Sequence, residues 1–121
     1  MPLLPEKLKI GPFSVKISRR KTGDGCWGDW RYADREIIVD DDLDPALTLS
    51  TFIHEVLHAI IDVFELADLF ELAAVSGWDR CDEALISALE AGVFQVICDN
   101  AEEWRKLSWA DAIKSARGGS M

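Results

Sequence analysis

The sequence predicts an α+β fold, in which a small antiparallel sheet of about three strands packs on two long helices and a C-terminal helix. Two observations carry this prediction. Apolar and polar residues alternate with a period of two in the first third of the chain, whereas apolar residues recur at helical spacing from residue 45 onward. Residues 1–121 are expected to form one domain, because a chain of this length supports a single hydrophobic core.

The strands are predicted from short alternating segments. Residues 13–18 alternate apolar with polar side chains, and residues 30–32 repeat that alternation after a glycine-rich loop. Residues 36–39 form the third predicted strand, which is joined to the second in a hairpin. Both ends of the chain, residues 1–11 and 118–121, are expected to be disordered, because prolines interrupt the first and glycines begin the second.

The first long helix is predicted from Pro45 to about Phe64. Asp44 suits the N-cap and Pro45 suits the first helical position. The acidic run at residues 40–44 is therefore interpreted as helix initiation, since it lacks the spacing, glycine and terminal glutamate of an EF-hand calcium loop. Ordinary helices run about 8–20 residues, so a break is expected between Phe64 and Phe70.

A second helix is predicted from about Asp79 to Asp99, with a stripe of apolar residues on its buried face. Gly92 lies within this helix and is expected to allow close approach to the first helix. Asn100 and Glu103 have the spacing of a capping box, which predicts the start of a terminal helix.

Composition restricts the classes of partner. The net charge of −9 argues against a nucleic-acid-binding surface, which is normally basic. Neither a signal segment nor an apolar run of transmembrane length is expected, so the sequence predicts a cytoplasmic protein without a membrane partner. The three cysteines, Cys26, Cys81 and Cys98, show no paired spacing and are expected to be reduced and mostly buried.

The segment with the clearest chemistry is His54-Glu55-x-x-His58, within the first long helix. The two histidines are four residues apart, which places both imidazoles on one face of a helix, where they can hold one Zn²⁺. Glu55 is the candidate general base for a zinc-activated water. The alternative is a pair of core histidines bonded to backbone or carboxylate groups. The metal site is favoured because the chain has only two histidines and both lie here, beside an ionisable residue in an apolar run.

A catalytic zinc site usually has three protein ligands and one water. Because the chain has no third histidine, the remaining ligand must be a carboxylate or a thiolate. Asp62 lies four residues beyond His58, but ligands on three successive turns of a straight helix span about 12 Å, too far to share one ion. Glu65 and Glu71 could reach the metal only through a sharp turn, and Cys81 would give a less hydrolytic site.

The motif resembles that of the zincin metallopeptidases, and the whole chain is similar to small zinc-peptidase-like proteins of phages and prophages. In those proteins a short sheet leads into a Thr-x-x-His-Glu-x-x-His helix, and the next helix carries an acidic pair. The matching stretches are residues 35–40, 51–60 and 82–100. The resemblance implies a thermolysin-type zinc hydrolase in the bacterial host cytoplasm, with Glu83 on the second helix as the third metal ligand. Asp82 and Glu90 are its rivals.

The resemblance also implies a peptide or protein substrate, held in extended form against an edge strand near the metal helix. Trp27, Trp30 and Tyr32 could line such a groove, or they could pack the sheet against the helices. Tyr32 is the only tyrosine that could stabilise an oxyanion. Two other functions stay open: a zinc-binding interaction module without activity, and a metal-free helical binding protein.

Overall fold

The computed structural model describes residues 2–23, 25–69, 71 and 78–118, without the side chains of residues 78–83 and 111. The fold is α+β, as predicted, with the strands preceding the helices. The strands are β1 (Lys7–Ile10), β2 (Phe13–Arg19), β3 (Gly28–Arg31) and β4 (Glu36–Val39), and the helices with defined bounds are α1 (Pro45–Val63), α2 (Trp78–Asp99), α3 (Ala101–Arg105) and α4 (Ala110–Ala116).

The sheet has four strands in the order β1-β2-β4-β3. β1 and β2 are antiparallel, β3 and β4 form the predicted hairpin, and β2 and β4 are parallel. The sheet therefore has four strands rather than the predicted three or so, and it is mixed rather than wholly antiparallel. The chain crosses over so that β4 lies between β2 and β3. Alternation within a segment reports which face of a strand is buried, but not the direction of its neighbour.

The strand missing from the prediction is β1, which lies in the segment expected to be disordered. Leu8 and Ile10 are buried while Lys7 and Lys9 are exposed, so this segment also alternates. Its outer edge is held by Asn100, whose side chain accepts a hydrogen bond from the Lys9 amide (2.7 Å) and donates one to the Lys9 carbonyl (2.8 Å). The capping-box prediction for Asn100 is thus wrong, because its side chain makes no cap bond to α3. At the other terminus, residues 119–121 lie outside the described residues.

Helix α1 begins and ends close to the predicted positions. The Asp44 carboxylate accepts a hydrogen bond from the Leu47 amide (2.8 Å), and Pro45 opens the helix. The predicted break follows at Glu65, which has a positive φ of 57°. Glu65 therefore leaves the helical conformation without the glycine that usually makes such a turn.

Helices α1 and α2 approach closely at Gly92, as predicted. A Cβ atom at this position would lie 2.7 Å from Cγ2 of Ile60, so only glycine fits without a shift. Helix α1 also contacts β3 and β4. The core enclosed by the sheet and the helices is apolar; its most deeply buried members are Leu8, Ile10, Val15, Ile37, Val39, Ala59 and Ile60.

By length and composition alone, α1 is apolar enough to cross a membrane, with a mean hydropathy of 1.3. The sequence prediction of no such run did not anticipate this. The core helix of a soluble protein meets the same test, and α1 packs against two strands of the sheet. The helix also carries His54, Glu55, His58 and Asp62, which are polar groups on or near its open face.

Candidate metal centre

The two histidines of α1 lie together on its exposed surface. Their Nε2 atoms are 3.1 Å apart, and their ring centroids are 4.7 Å apart. With zinc–nitrogen bonds of about 2.0–2.1 Å, one ion bound to both atoms would have an N–Zn–N angle of about 100°, close to tetrahedral. The separation of the two Nε2 atoms is therefore compatible with a shared zinc ion.

The same geometry counts against a role for these histidines in the core. Both side chains are exposed, although an apolar helix predicted burial. Among the hydrogen bonds of the described residues, neither ring bonds to a backbone group or a carboxylate, and each ring has only the other as its partner. Two exposed histidines do not stabilise a core. At 3.1 Å their Nε2 atoms are within hydrogen-bond distance, so one ring can donate to the other in the metal-free chain.

Glu55 differs from the histidines beside it because its side chain is only 7% exposed. None of the side-chain hydrogen bonds between described residues involves its carboxylate. Burial raises the pKa of Glu55 above the ordinary value of 4.5; the neighbouring His54 and His58 act in the opposite direction, and Asp29 raises the pKa further. The Glu55 oxygens are nevertheless not among the enclosed, unpartnered polar atoms of the described residues, so the carboxylate faces the cleft at the surface of α1.

Glu55 is buried because strand β3 lies directly on α1. A Cβ atom at Gly28 would lie 2.6 Å from Cγ2 of Thr51 and 3.0 Å from Cγ of Glu55, so this approach requires glycine. Further along β3, the Trp30 indole donates a hydrogen bond of 2.7 Å to the Asp62 carboxylate. Strand β3 therefore follows α1 from Thr51 to Asp62, along the stretch of helix that carries both histidines.

Strand β3 is also an edge strand. It pairs with β4 on one side and is the last strand of the sheet on the other. An edge strand presents backbone N–H and C=O groups that an extended peptide can pair with. The structure thus brings together an edge strand, two adjacent imidazoles and a buried carboxylate.

The described side chains supply two metal ligands, not three. No third carboxylate, thiol or imidazole among them has a ligand atom within 4.8 Å of both histidine nitrogens. Asp62 is bonded to Trp30, which agrees with its predicted exclusion from the metal. Glu83 and Asp82 lie in the first turns of α2, but their side chains lie outside the described residues. Glu90 is exposed on the same helix.

A cleft of about 490 Å³ opens at the start of this site. Its lining combines the loop before β3 with one face of α1: Gly25, Cys26, Trp27, Gly28, Ser50, Thr51, His54 and Glu55. Of the three aromatic residues proposed for a groove, Trp27 lines this cleft, whereas Trp30 and Tyr32 do not. Tyr32 stacks edge-on against Phe13 and Trp30, so the cleft lacks the predicted oxyanion donor among its described lining.

The cysteines differ from the prediction of mostly buried thiols. Cys26 and Cys98 are both exposed, and the side chain of Cys81 lies outside the described residues. Sequence reasoning missed Cys26 as part of the site, because its position beside Glu55 depends on how β3 packs on α1. The one sequence feature that could have indicated it is that Cys26 directly precedes Trp27 and Gly28, at the start of the edge strand.

The acidic run before α1 was interpreted from the sequence as helix initiation, and the Asp44 cap agrees with that interpretation. Asp40, Asp41 and Asp42 bring their carboxylates within 4.8 Å of one another. Lys21 forms ion pairs with Asp41 (3.5 Å) and Asp42, and Asp40 accepts a hydrogen bond from the Asp42 amide (2.9 Å). One lysine thus offsets part of the negative charge of the three carboxylates.

Comparisons with protein-family models, with characterised proteins and with solved structures found no match for this chain.

Proposed function

We propose that this chain is a zinc-dependent metallopeptidase of the zincin type, similar to the small peptidases of phages and prophages and acting in the bacterial cytoplasm. The observation that carries the proposal is the 3.1 Å separation of the His54 and His58 Nε2 atoms, next to Glu55, whose carboxylate lines the adjoining cleft. A metal cation at the histidines would neutralise that carboxylate, and zinc is the ion that two imidazoles and a carboxylate favour.

His54 and His58 would hold the ion, with Glu83 as the third ligand implied by the resemblance. Bound zinc supplies an acidified water and polarises the scissile carbonyl. Glu55 would accept the proton of the attacking water and then donate it to the leaving amine.

The substrate class proposed is an extended peptide. The free edge of β3 can add such a peptide to the sheet through backbone hydrogen bonds, which depend little on the substrate sequence. Since β3 lies on α1 at Gly28 and Trp30, a peptide paired with this edge would pass beside the histidines. Trp27, exposed at the start of the strand, would contact a side chain of the peptide.

A second candidate is a zinc-binding interaction module without activity. It is favoured by one observation: Tyr32 stacks on Phe13 and Trp30 away from the cleft, so no described side chain there stands in for an oxyanion donor. The two candidates share the metal and the edge strand but differ in turnover.

The experiment compares zinc content and peptide hydrolysis for wild type, Glu55→Gln and Glu6→Gln. Glu6 is an exposed glutamate before β1 and serves as the control. We expect all three proteins to hold zinc, and only Glu55→Gln to lose hydrolysis of a peptide library, by about 10²–10⁴-fold, the usual contribution of a positioned base. Equal turnover by wild type and Glu55→Gln would remove Glu55 from the mechanism. Zinc-loaded wild type that cleaves nothing would favour the interaction module.

A further inference from the structure

An apolar groove lies between α1 and α2, apart from the cleft that contains Glu55. Its volume is about 340 Å³, and its described lining consists only of aliphatic and aromatic side chains. The two indoles in that lining have used their N–H groups elsewhere: Trp104 donates to the Ile97 carbonyl (2.8 Å) and Trp109 to the Leu3 carbonyl (3.1 Å). The groove therefore binds through apolar contact.

Exposed apolar side chains extend this groove along α2. Ile86, Phe94 and Ile97 are each more than half exposed, and their spacing places them on one face of the helix. Ile53 and Leu57 are exposed on the α1 side of the groove. Single exposed apolar residues are normal, but a continuous strip beside an apolar groove is typical of an interaction surface.

The length of the strip indicates the shape of its occupant. At 1.5 Å per residue, the distance along α2 from Ile86 to Ile97 is about 16 Å, which is three turns of a helix. A groove between two helices that continues into such a strip suits an amphipathic helix, which lays its apolar face against apolar side chains.

The charge of the helical part of the chain indicates the sign of the occupant. Residues 45–121 contain 13 acidic and five basic residues, so this part carries −8 of the net charge of −9. Two of the basic residues, Arg105 and Lys106, form ion pairs within α3 and its C-cap. A second copy of the chain would bring like charges together, whereas a basic partner would be attracted.

Glu90 supplies a negative charge within the strip itself. It is exposed, lies one turn from both Ile86 and Phe94, and is the only ionisable residue between positions 86 and 97. None of the ion pairs between described residues involves Glu90. A lysine or arginine beside the apolar face of a bound helix would pair with this carboxylate.

We propose that the groove and the strip along α2 bind a basic amphipathic helix of a partner protein. Apolar residues of that helix at positions i, i+4, i+7 and i+11 would pack on the strip, and its lysine or arginine residues would face Glu90 and the acidic helical part of the chain. This inference does not depend on the metal or on hydrolysis.

The test uses the full-length chain and two synthetic helical probes of about 18 residues, or five turns. Both probes carry the same leucine stripe; the remaining positions are lysine in one and glutamate in the other. Fluorescence anisotropy measures their affinities for the wild-type chain. We expect the lysine probe to bind at least about tenfold more tightly, and salt to reduce this preference because it screens the charges.

Substitutions locate the binding surface. Phe94→Gln and Ile97→Gln are each expected to weaken the lysine probe by about tenfold, because a few apolar contacts dominate such interfaces. Glu90→Gln should reduce the preference for lysine over glutamate. Tyr32→Gln is the matched control, since Tyr32 is also an exposed aromatic residue but lies beyond β3, and it should bind as wild type does. Thermal unfolding checks that each variant is folded.

Three results would overturn the proposal. Equal affinity of the wild-type chain for the two probes would remove the charge selectivity, without reliance on any variant. A lysine probe that binds Phe94→Gln and Ile97→Gln as tightly as wild type would place the binding elsewhere. A dimer in sedimentation analysis that Ile97→Gln dissociates would show that the occupant is a second copy of the chain.

Discussion

Gly28→Ala tests whether the close packing of β3 on α1 positions the general base. The added Cβ would lie 2.6 Å from Cγ2 of Thr51 and 3.0 Å from Cγ of Glu55, whereas ordinary contacts begin at 3.4 Å. Thr51 would have to retreat by about 0.8 Å and Glu55 by about 0.4 Å, or β3 would have to lift from the helix. Each outcome moves the Glu55 carboxylate relative to the histidines.

The energetic effect follows from overpacking. Inserting a methyl group into a tightly packed contact costs about 1–3 kcal/mol. Replacing glycine offsets about 0.4–1 kcal/mol of this by restricting the unfolded chain. The net loss, between about 0 and 2.6 kcal/mol, corresponds to a fall in Tm of up to about 10 °C for a chain of this size.

The functional effect should exceed the effect on stability. A catalytic group displaced by about 1 Å can cost about 10²-fold in rate, so turnover of Gly28→Ala is expected to fall by about 10–100-fold at a temperature where the protein is fully folded. Zinc affinity should be unchanged, because Gly28 crowds Thr51 and Glu55 and neither histidine.

Gly92→Ala is the matched control. Its Cβ would lie 2.7 Å from Cγ2 of Ile60, which is comparable crowding between α1 and α2 but away from the cleft. Thermal unfolding and peptide hydrolysis are measured for both variants. If Gly28→Ala keeps full stability and turnover, or if Gly92→Ala loses as much turnover, β3 does not position Glu55.

Three further outcomes are expected. Glu83→Ala should weaken zinc binding in equilibrium dialysis far more than Asp62→Ala, because the Asp62 carboxylate is already bonded to an indole of β3; the reverse order would contradict the ligand assignment. In metal-free protein, Glu55→Gln should be more stable than wild type at pH 7. Burial raises the pKa of Glu55 in the folded state, so the wild-type protein loses stability as the pH rises through that pKa. Thermal unfolding should show the two proteins becoming equally stable as the pH falls below 4.5. If Glu55→Gln is more stable by the same amount at every pH, ionisation of Glu55 is not the cause. Asn100→Ala should lower the urea midpoint by the equivalent of about 1–3 kcal/mol, because it removes three hydrogen bonds of a buried amide; an unchanged midpoint would show that β1 does not depend on it.

The local features of the fold were predictable from the sequence. Alternation identified residues 13–18, residues 36–39 were also predicted as a strand, and the Asp44-Pro45 pair located the start of α1. These signals succeed because strand burial and helix capping depend on neighbours in the chain. Gly92 was also predicted correctly, since a glycine inside a helix usually marks close packing.

The pairing of distant segments was not predictable in the same way. The parallel contact of β2 with β4 depends on a crossover. The outer edge of β1 bonds to the side chain of Asn100, which is 91 residues from Lys9. The spacing of Asn100 and Glu103 indicated a helix cap. The Asn100 side chain instead bonds to the edge of β1, whose backbone groups would otherwise lack hydrogen-bond partners.

The candidate site also combines features that were predictable from local sequence with features that were not. The adjacency of His54 and His58 follows from helical spacing and was predicted. The places of Gly28 and Cys26 depend on how the edge strand packs against the helix, and no local pattern in the sequence carries that information. The prediction of Glu83 as a ligand came from resemblance and stays a prediction.

The central claim is that the two histidines of α1 hold one zinc ion, and calorimetric titration of the metal-free chain with Zn²⁺ tests it most directly. Wild type is expected to bind about one ion per chain, as a single site with three protein ligands requires. His54→Ala should abolish that binding, together with the rise in Tm that bound metal produces by linkage. Wild type that takes up no zinc, or His54→Ala that binds zinc as wild type does, would contradict the claim.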